Sequence, residues 1–272
     1  MNKYSSKPQE MVISFWKNKS LIRNLVQREV IGRYKGSVLG VLWSLVNPLL
    51  MLTIYTFVFS VVFKARWNAE SESKVEFALI LFSGLLVFNL FAECINRAPS
   101  LILSNVNYVK KVVFPLEVLP WVSMGSAVFH LAIGCGVWLL AYLVLVGIPH
   151  WTVVLLPLVV LPFALFVLGL SWAIASLGVY LRDIGQVTGI AVQILMFLTP
   201  VFYPVSALPE QYQIALQLNP ITPAVEMIRD VLVWGVVPKP EQWITFTVSA
   251  LLVSALGFAW FQKTRKGFAD VL

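Results

Sequence analysis

The chain has 272 residues, 59% of them hydrophobic and 12% charged, and a net charge of +7 from 20 lysines and arginines against 13 acids. Soluble domains carry about 25% charged residues, so this composition excludes an ordinary water-soluble enzyme or binding module. The basic excess needs no nucleic acid to explain it if it gathers in loops on one side of a membrane.

Residues 1–37 are polar and amphipathic. They lack the apolar core and small-residue cleavage site of a removable signal peptide, so the first span is expected to act as the targeting signal. Within them Ile22, Val26, Val30 and Tyr34 recur every four residues with Leu25 beside them, while Arg23, Arg28, Arg33 and Lys35 fall elsewhere on the wheel. This pattern predicts an amphipathic helix along the inner membrane surface. Anionic lipid would hold such a helix, and a cytoplasmic partner could dock on it. In REVIGRYKGSVLGVLWSLVNPLL, residues 28–50, the positive charge stops at Lys35 and apolar residues follow as far as Phe63. From Val38 to Phe63 there is no charge over about 26 residues, so a helix there reaches about 39 Å and crosses a core of about 30 Å with some tilt.

Further spans are predicted near 77–96, 116–146, 152–180, 185–203 and 242–261, too long and too uniformly apolar for barrel strands. Six helices in an all-α membrane protein result. With the N-terminus inside, Lys3, Lys7, Lys17, Lys19, Arg23, Arg28, Arg33, Lys35, Arg97, Lys110, Lys111, Arg182, Lys263, Arg265 and Lys266 are cytoplasmic. Only Lys64, Arg66, Lys74, Arg229 and Lys239 lie opposite. That asymmetry predicts that both termini are cytoplasmic.

The loop after the second span, with Asn105, Asn107, Lys110 and Lys111, fits a short helix ending at Pro115. At its simplest it is a basic inner loop that sets topology. In VYLRDIGQV, Arg182 and Asp183 break an apolar run and mark a cytoplasmic turn. From Leu198 to Gly235 five prolines interrupt the chain; each lacks a donor and disfavours helix before it. Two short helices dipping toward the outer face are expected, with Glu226, Arg229 and Asp230 on the second. Cys94 and Cys135 lie inside predicted spans with no metal-site or disulfide spacing and read as small core residues. Glu93 and Arg97, four apart, can pair near a span end. His130 is the one ionisable group expected deep in a span. No G-x-x-x-x-G-K-[ST] phosphate loop is present, GRYKGSVLG having the wrong spacing.

Three stretches, QREVIGRYKGSVLGVLWSLVNPLL, NYVKKVVFPLEVLP, and GVYLRDI followed by LTPVFYP, LPE and LNPITP with Arg229, resemble the permease subunits of type-2 ABC exporters of bacterial surface polysaccharide, the Wzm-like proteins. The resemblance covers almost the whole chain. It implies an amphipathic interface helix within 1–37, a six-span permease domain over 38–272, and a re-entrant periplasmic hairpin between the fifth and sixth spans. It further implies a homodimer in the bacterial inner membrane, joined to two copies of an ABC ATPase subunit that binds ATP and Mg. No cofactor is expected on this chain itself. The cargo would be lipid-linked O-antigen-type polysaccharide, with capsular polysaccharide or teichoic acid as the alternative.

On the same resemblance, Arg28, Arg33, Lys35, Asn105, Asn107, Tyr108, Lys110, Lys111, Arg182 and Asp183 would couple to the ATPase. Pro204, Pro209, Asn219, Pro220, Glu226 and Arg229 would belong to the periplasmic gate. A channel for sugars needs aromatic faces, and Trp43, Tyr55 and Phe59 in the first span and Phe197, Phe202 and Tyr203 in the fifth are the candidates. Tyr55 and Phe59 share a face, whereas Trp43 need not. A self-powered secondary transporter would place ionisable groups at midplane and show internal repeats. His130 alone and the lack of a repeat weigh against it. A sugar-processing membrane enzyme would need paired carboxylates facing one site, and none is evident.

Overall fold

The computed structural model describes residues 7–58, 67, 74–110 and 114–272. Among these there are helices and turns and no strand. Two short helices, α1 (Pro8–Lys17) and α2 (Lys19–Arg33), precede α3 (Trp43–Tyr55), α4 (Lys74–Arg97), the five-residue α5 (Val106–Lys110), α6 (Val118–Leu145), α7 (Leu156–Tyr180) and α8 (Ile184–Leu198). Then come α9 (Glu210–Gln217), α10 (Thr222–Arg229), α11 (Pro240–Thr264) and α12 (Phe268–Val271). Prolines sit in the first turns of α1, α7, α10 and α11, where the missing N–H has no intrahelical partner to lose and φ is already helical.

Among the described residues, five stretches are long and apolar enough to cross a membrane: Gly40–Val58, Val75–Ser100, Val118–Leu145, Trp151–Tyr180 and Pro240–Val271. They correspond to the predicted spans one, two, three, four and six; residues 59–63 of the first lie outside the described residues. The predicted fifth span, 185–203, is shorter in the structure. Helix α8 ends at Leu198, because Thr199 precedes Pro200 and takes an extended backbone, φ −90° and ψ 138°, as the proline ring demands of its neighbour. Its 15 residues rise about 22 Å, short of a core of about 30 Å. Phe202 and Tyr203, expected on that helix, fall in the turn beyond it.

The chain sorts its polar segments to two ends. At one end Ser14 of α1 donates to Glu117 at 3.1 Å, Arg28 of α2 to the Tyr108 hydroxyl at 3.1 Å, and Lys110 to the backbone carbonyl of Leu272. Arg265 pairs with Glu117 there. At the other end Thr152 donates to the Val231 carbonyl at 2.6 Å, and His150 lies against Gly235.

Between the ends the tightest seam is α7 with α11. A Cβ on Gly257 would stand 2.0 Å from the Gly169 carbonyl oxygen, and one on Gly169 2.6 Å from the Ser254 backbone. Small residues let backbones meet where lipid offers helices no hydrophobic incentive to associate. Two buried tryptophans satisfy their N–H groups on backbone carbonyls: Trp138 on Leu79 at 2.9 Å and Trp172 on Glu117 at 3.1 Å. Helix α3 stands apart, with Ser44 its one buried residue.

The apolar face predicted for the N-terminal helix exists and is covered by protein. Ile22 packs on Val118 and Val122, and Val26 fills the notch left by Gly125. Helix α2 thus runs along the first turns of α6. After Tyr34 the chain turns through Gly36 (φ 85°) and Gly40 (φ 53°), left-handed values that side chains rarely adopt, and enters α3.

Candidate functional site

A cavity of about 500 Å³ lies between α3, α4 and α6. Its apolar lining includes Met51 and Leu86. Asn47, Tyr55, Asn89, Asn96 and His130 give it polar groups, and Arg33, Tyr34, Glu93 and Arg97 close it toward the basic end. Asn89, Glu93 and Asn96 line it together because they recur at four and three residues on α4, one stripe of a helix. The mixture of apolar wall and spaced hydrogen-bonding groups can hold an amphipathic solute such as a sugar chain.

The cavity's charged rim is built from three helices. Glu93 accepts from Arg33 at 2.6 Å and from His130 Nδ1 at 3.0 Å, with Arg97 at 3.7 Å. Arg97 also pairs with Glu29 at 2.6 Å. The Tyr34 hydroxyl is 3.2 Å from His130 Nε2. With Nδ1–H donating to Glu93, the other ring nitrogen accepts from Tyr34. Partial burial, assisted by Glu93 and opposed by Arg33, pushes the Tyr34 hydroxyl above its ordinary pKa. The expected Glu93–Arg97 pair is therefore present. His130, expected as an isolated group deep in the third span, instead meets the end of α2 within this cluster.

At the opposite end α10 is fixed by a buried arginine. Arg229, 4% exposed, donates to the carbonyls of Pro200 at 2.5 Å and Val201 at 2.7 Å and approaches that of Ile80 at 3.4 Å. Its guanidinium carbon sits 4.4 Å from the Trp67 ring centre, a cation–π contact. Gly84 leaves the room: a Cβ there would be 2.7 Å from Arg229 Nη2. Burial pulls the guanidinium down to about 9, against the pull of Glu226, so it stays charged at neutral pH. Asn219 is buried and donates to Thr199 Oγ1 at 2.9 Å, while its side-chain oxygen accepts from the Ile221 N–H at 3.0 Å. Glu226 and Asp230 share a second cleft of about 500 Å³ with Trp67, Trp234 and Lys239. Burial raises both carboxyl pKa values.

The residues named from sequence fall as follows. Arg28 meets Tyr108, which stacks on Phe114 at 4.3 Å. Asn105 binds the Leu101 carbonyl within its own turn at 2.8 Å. Lys35, Asn107 and Lys110 are exposed, and Lys111 lies outside the described residues. Arg182 and Asp183 are exposed in the turn before α8, where a Cβ on Gly185 would lie 4.0 Å from Pro99. Tyr55 lines the cavity. Trp43 is half-buried at the start of α3 and stands apart from it. Phe59 lies outside the described residues. Phe197 is exposed beside Phe202, ring centres 6.2 Å apart, and Tyr203 donates to the Phe197 carbonyl at 2.8 Å. Pro204 is half-buried while Pro209 and Pro220 are exposed.

Sequence reasoning overlooked Asn47, Asn89 and Asn96 and the central place of Glu93. The signal for three of them was the spacing of polar residues at 89, 93 and 96 within an apolar run. Glu117, which ties both chain ends to the loop before α6, carried no such signal.

The model of the ABC-2 type transporter family matches residues 20–233. An O-antigen export system permease protein, RfbA, of Myxococcus xanthus is 27% identical over 262 residues, covering 96% of this chain and 98% of that protein. A protein of the same name from Klebsiella pneumoniae is 25% identical over 91% of this chain and 93% of its own length. The polysialic acid transport protein KpsM of Escherichia coli is 22% identical over 91% and 94%.

Proposed function

Because this chain belongs to the ABC-2 type transporter family, we propose that it is the membrane subunit of an ATP-driven exporter that carries lipid-linked O-antigen-type polysaccharide across a bacterial inner membrane. The observation that carries this reading is the end-to-end similarity to O-antigen export permeases, at higher identity than to the polysialic acid transport protein. The cavity beside α3, with its asparagines and Tyr55, supports it as a path wall for a sugar chain.

In this reading α8 is a sixth crossing, shortened by the turn at Pro200. Both termini and the basic loops face the cytoplasm, a placement that the distribution of lysine and arginine favours, and the α9–α10 hairpin lies at the periplasmic exit. Two copies of the chain enclose the channel. Two copies of a separate ATPase, which hold ATP and Mg, dock on α2, α5 and the turn at Arg182 and Asp183. This chain contributes binding and motion and no chemistry.

Deleting the gene from its host tests the proposal. Long O-polysaccharide should vanish from the surface while lipid-linked glycan accumulates on the cytoplasmic side, and an ATPase should co-purify with the tagged chain. Loss of capsule with intact O-antigen would shift the cargo to the second class of relatives.

A further inference from the structure

We propose that Glu93 is the positioning residue through which α2 moves the walls of the cavity. This inference rests on the exporter reading above and names the contact that such an exporter would use inside this chain.

Glu93 lies on α4, four residues before its end, and its carboxylate is shared by groups from three helices. Arg33, at the last residue of α2, is 2.6 Å away; His130 of α6 is 3.0 Å away; Arg97 of α4 itself is 3.7 Å away. Arg97 then returns to α2 through Glu29 at 2.6 Å, and Tyr34 reaches His130 at 3.2 Å. The last turn of α2 is therefore bound to α4 and α6 by a closed circuit of charge. All of its members except Glu29 line the cavity.

The alternative means of attachment at this point is the backbone link itself. Beyond Tyr34 the chain passes through the left-handed Gly36 and Gly40, and a Cβ on either would meet nothing within 4 Å. That link is held by its own turn hydrogen bonds, such as Ser37 N–H to the Tyr34 carbonyl at 3.2 Å, so a push on α2 is carried to α3 only through the turn. It reaches α4 and α6 directly. Glu93 is 15% exposed and Arg33 51%, so solvent reaches one partner much more readily than the other. Shifting α2 would exchange Arg33 for water on its outer side and leave the inner acid with His130 and Arg97. Charge-assisted bonds are short and directional, which makes this circuit suited to two arrangements rather than a continuous slide.

The test uses the full chain co-purified with its ATPase and reconstituted in vesicles, measuring export of the lipid-linked glycan and ATP hydrolysis separately. Glu93→Gln should assemble while the glycan exported per ATP hydrolysed falls about tenfold or more. Arg33→Gln should also lower this ratio, and the double variant should lose no more than the worse single one, because partners in one network are not additive. A ratio within twofold of the unaltered chain for Glu93→Gln would overturn the proposal. So would additive losses, or a Glu93→Gln chain that no longer assembles, since the acid would then be structural. If the unaltered chain captures no ATPase at all, the exporter reading itself fails.

Discussion

Arg265 is ion-paired with Glu117 across 148 residues of sequence, and the same arginine donates to the Phe114 carbonyl at 2.7 Å. The carboxy-terminal segment thereby holds the loop between α5 and α6, and Ser14 adds α1 to the same acid. With 8% and 12% of their side chains exposed, the two charges are nearly withdrawn from water. Arg265→Gln should cost about 3 kcal/mol, the scale of stranding one member of a buried pair. The Glu117→Gln, Arg265→Gln double variant should cost less than the two losses added, read by thermal unfolding in detergent. Equal and additive losses would show that the pair does not hold the loop.

Arg229 meets backbone carbonyls and an aromatic face, and no carboxylate lies within ion-pair distance among the described residues. Arg229→Met keeps the bulk and removes the donors, leaving the Pro200 and Val201 carbonyls unpaired. A loss of about 2–4 kcal/mol is expected from two buried acceptors. Protease cleavage should rise within 200–235 while the α7–α11 seam stays protected. Uniform loss of protection would assign Arg229 to the whole bundle instead.

Glu226 has a raised carboxyl pKa, first from burial and then from Asp230, with Arg229 opposing. Its neutral form is the one the fold favours. The associated stability is present at pH values below the unfolded carboxyl value and is lost as pH rises through the higher folded one. Glu226→Gln, permanently neutral, should therefore raise the unfolding temperature near neutral pH and leave it unchanged at about pH 4, below both values. An equal gain at both pH values would refute an ionisation effect.

Much of the architecture was legible because membrane burial writes itself as long uncharged runs. The spans through α4, α6, α7 and α11, the apolar stripe Ile22–Val26–Val30 and the Glu93–Arg97 pair all follow from composition and helical period. The shortening of α8 was legible in principle from Pro200, but the apolar residues beyond it outweighed the backbone restriction. The partners of Arg229 were not legible, since backbone carbonyls at Ile80, Pro200 and Val201 have no side-chain signature. Nor could period alone tell whether α2 lies on lipid or protein: an apolar stripe satisfies either surface, and Gly125, which admits Val26, stands far off in sequence. Tyr55 lines the cavity and Trp43, twelve residues earlier, does not.

The seam at Gly169 and Gly257 divides the molecule mechanically. Where two backbones touch, any relative slide forces atoms together, so α7 and α11 behave as one stiff plate. Helix α3, with Ser44 alone buried and a two-glycine joint at its start, is the compliant wall of the cavity, facing α4 and α6. Opening the cavity by displacing α3 disrupts little packing, whereas moving α4 or α6 would disturb the packed core to which both belong. The sequence thus apportions stiffness as well as shape, by placing glycine at a contact in one helix pair and at a bend beside another helix.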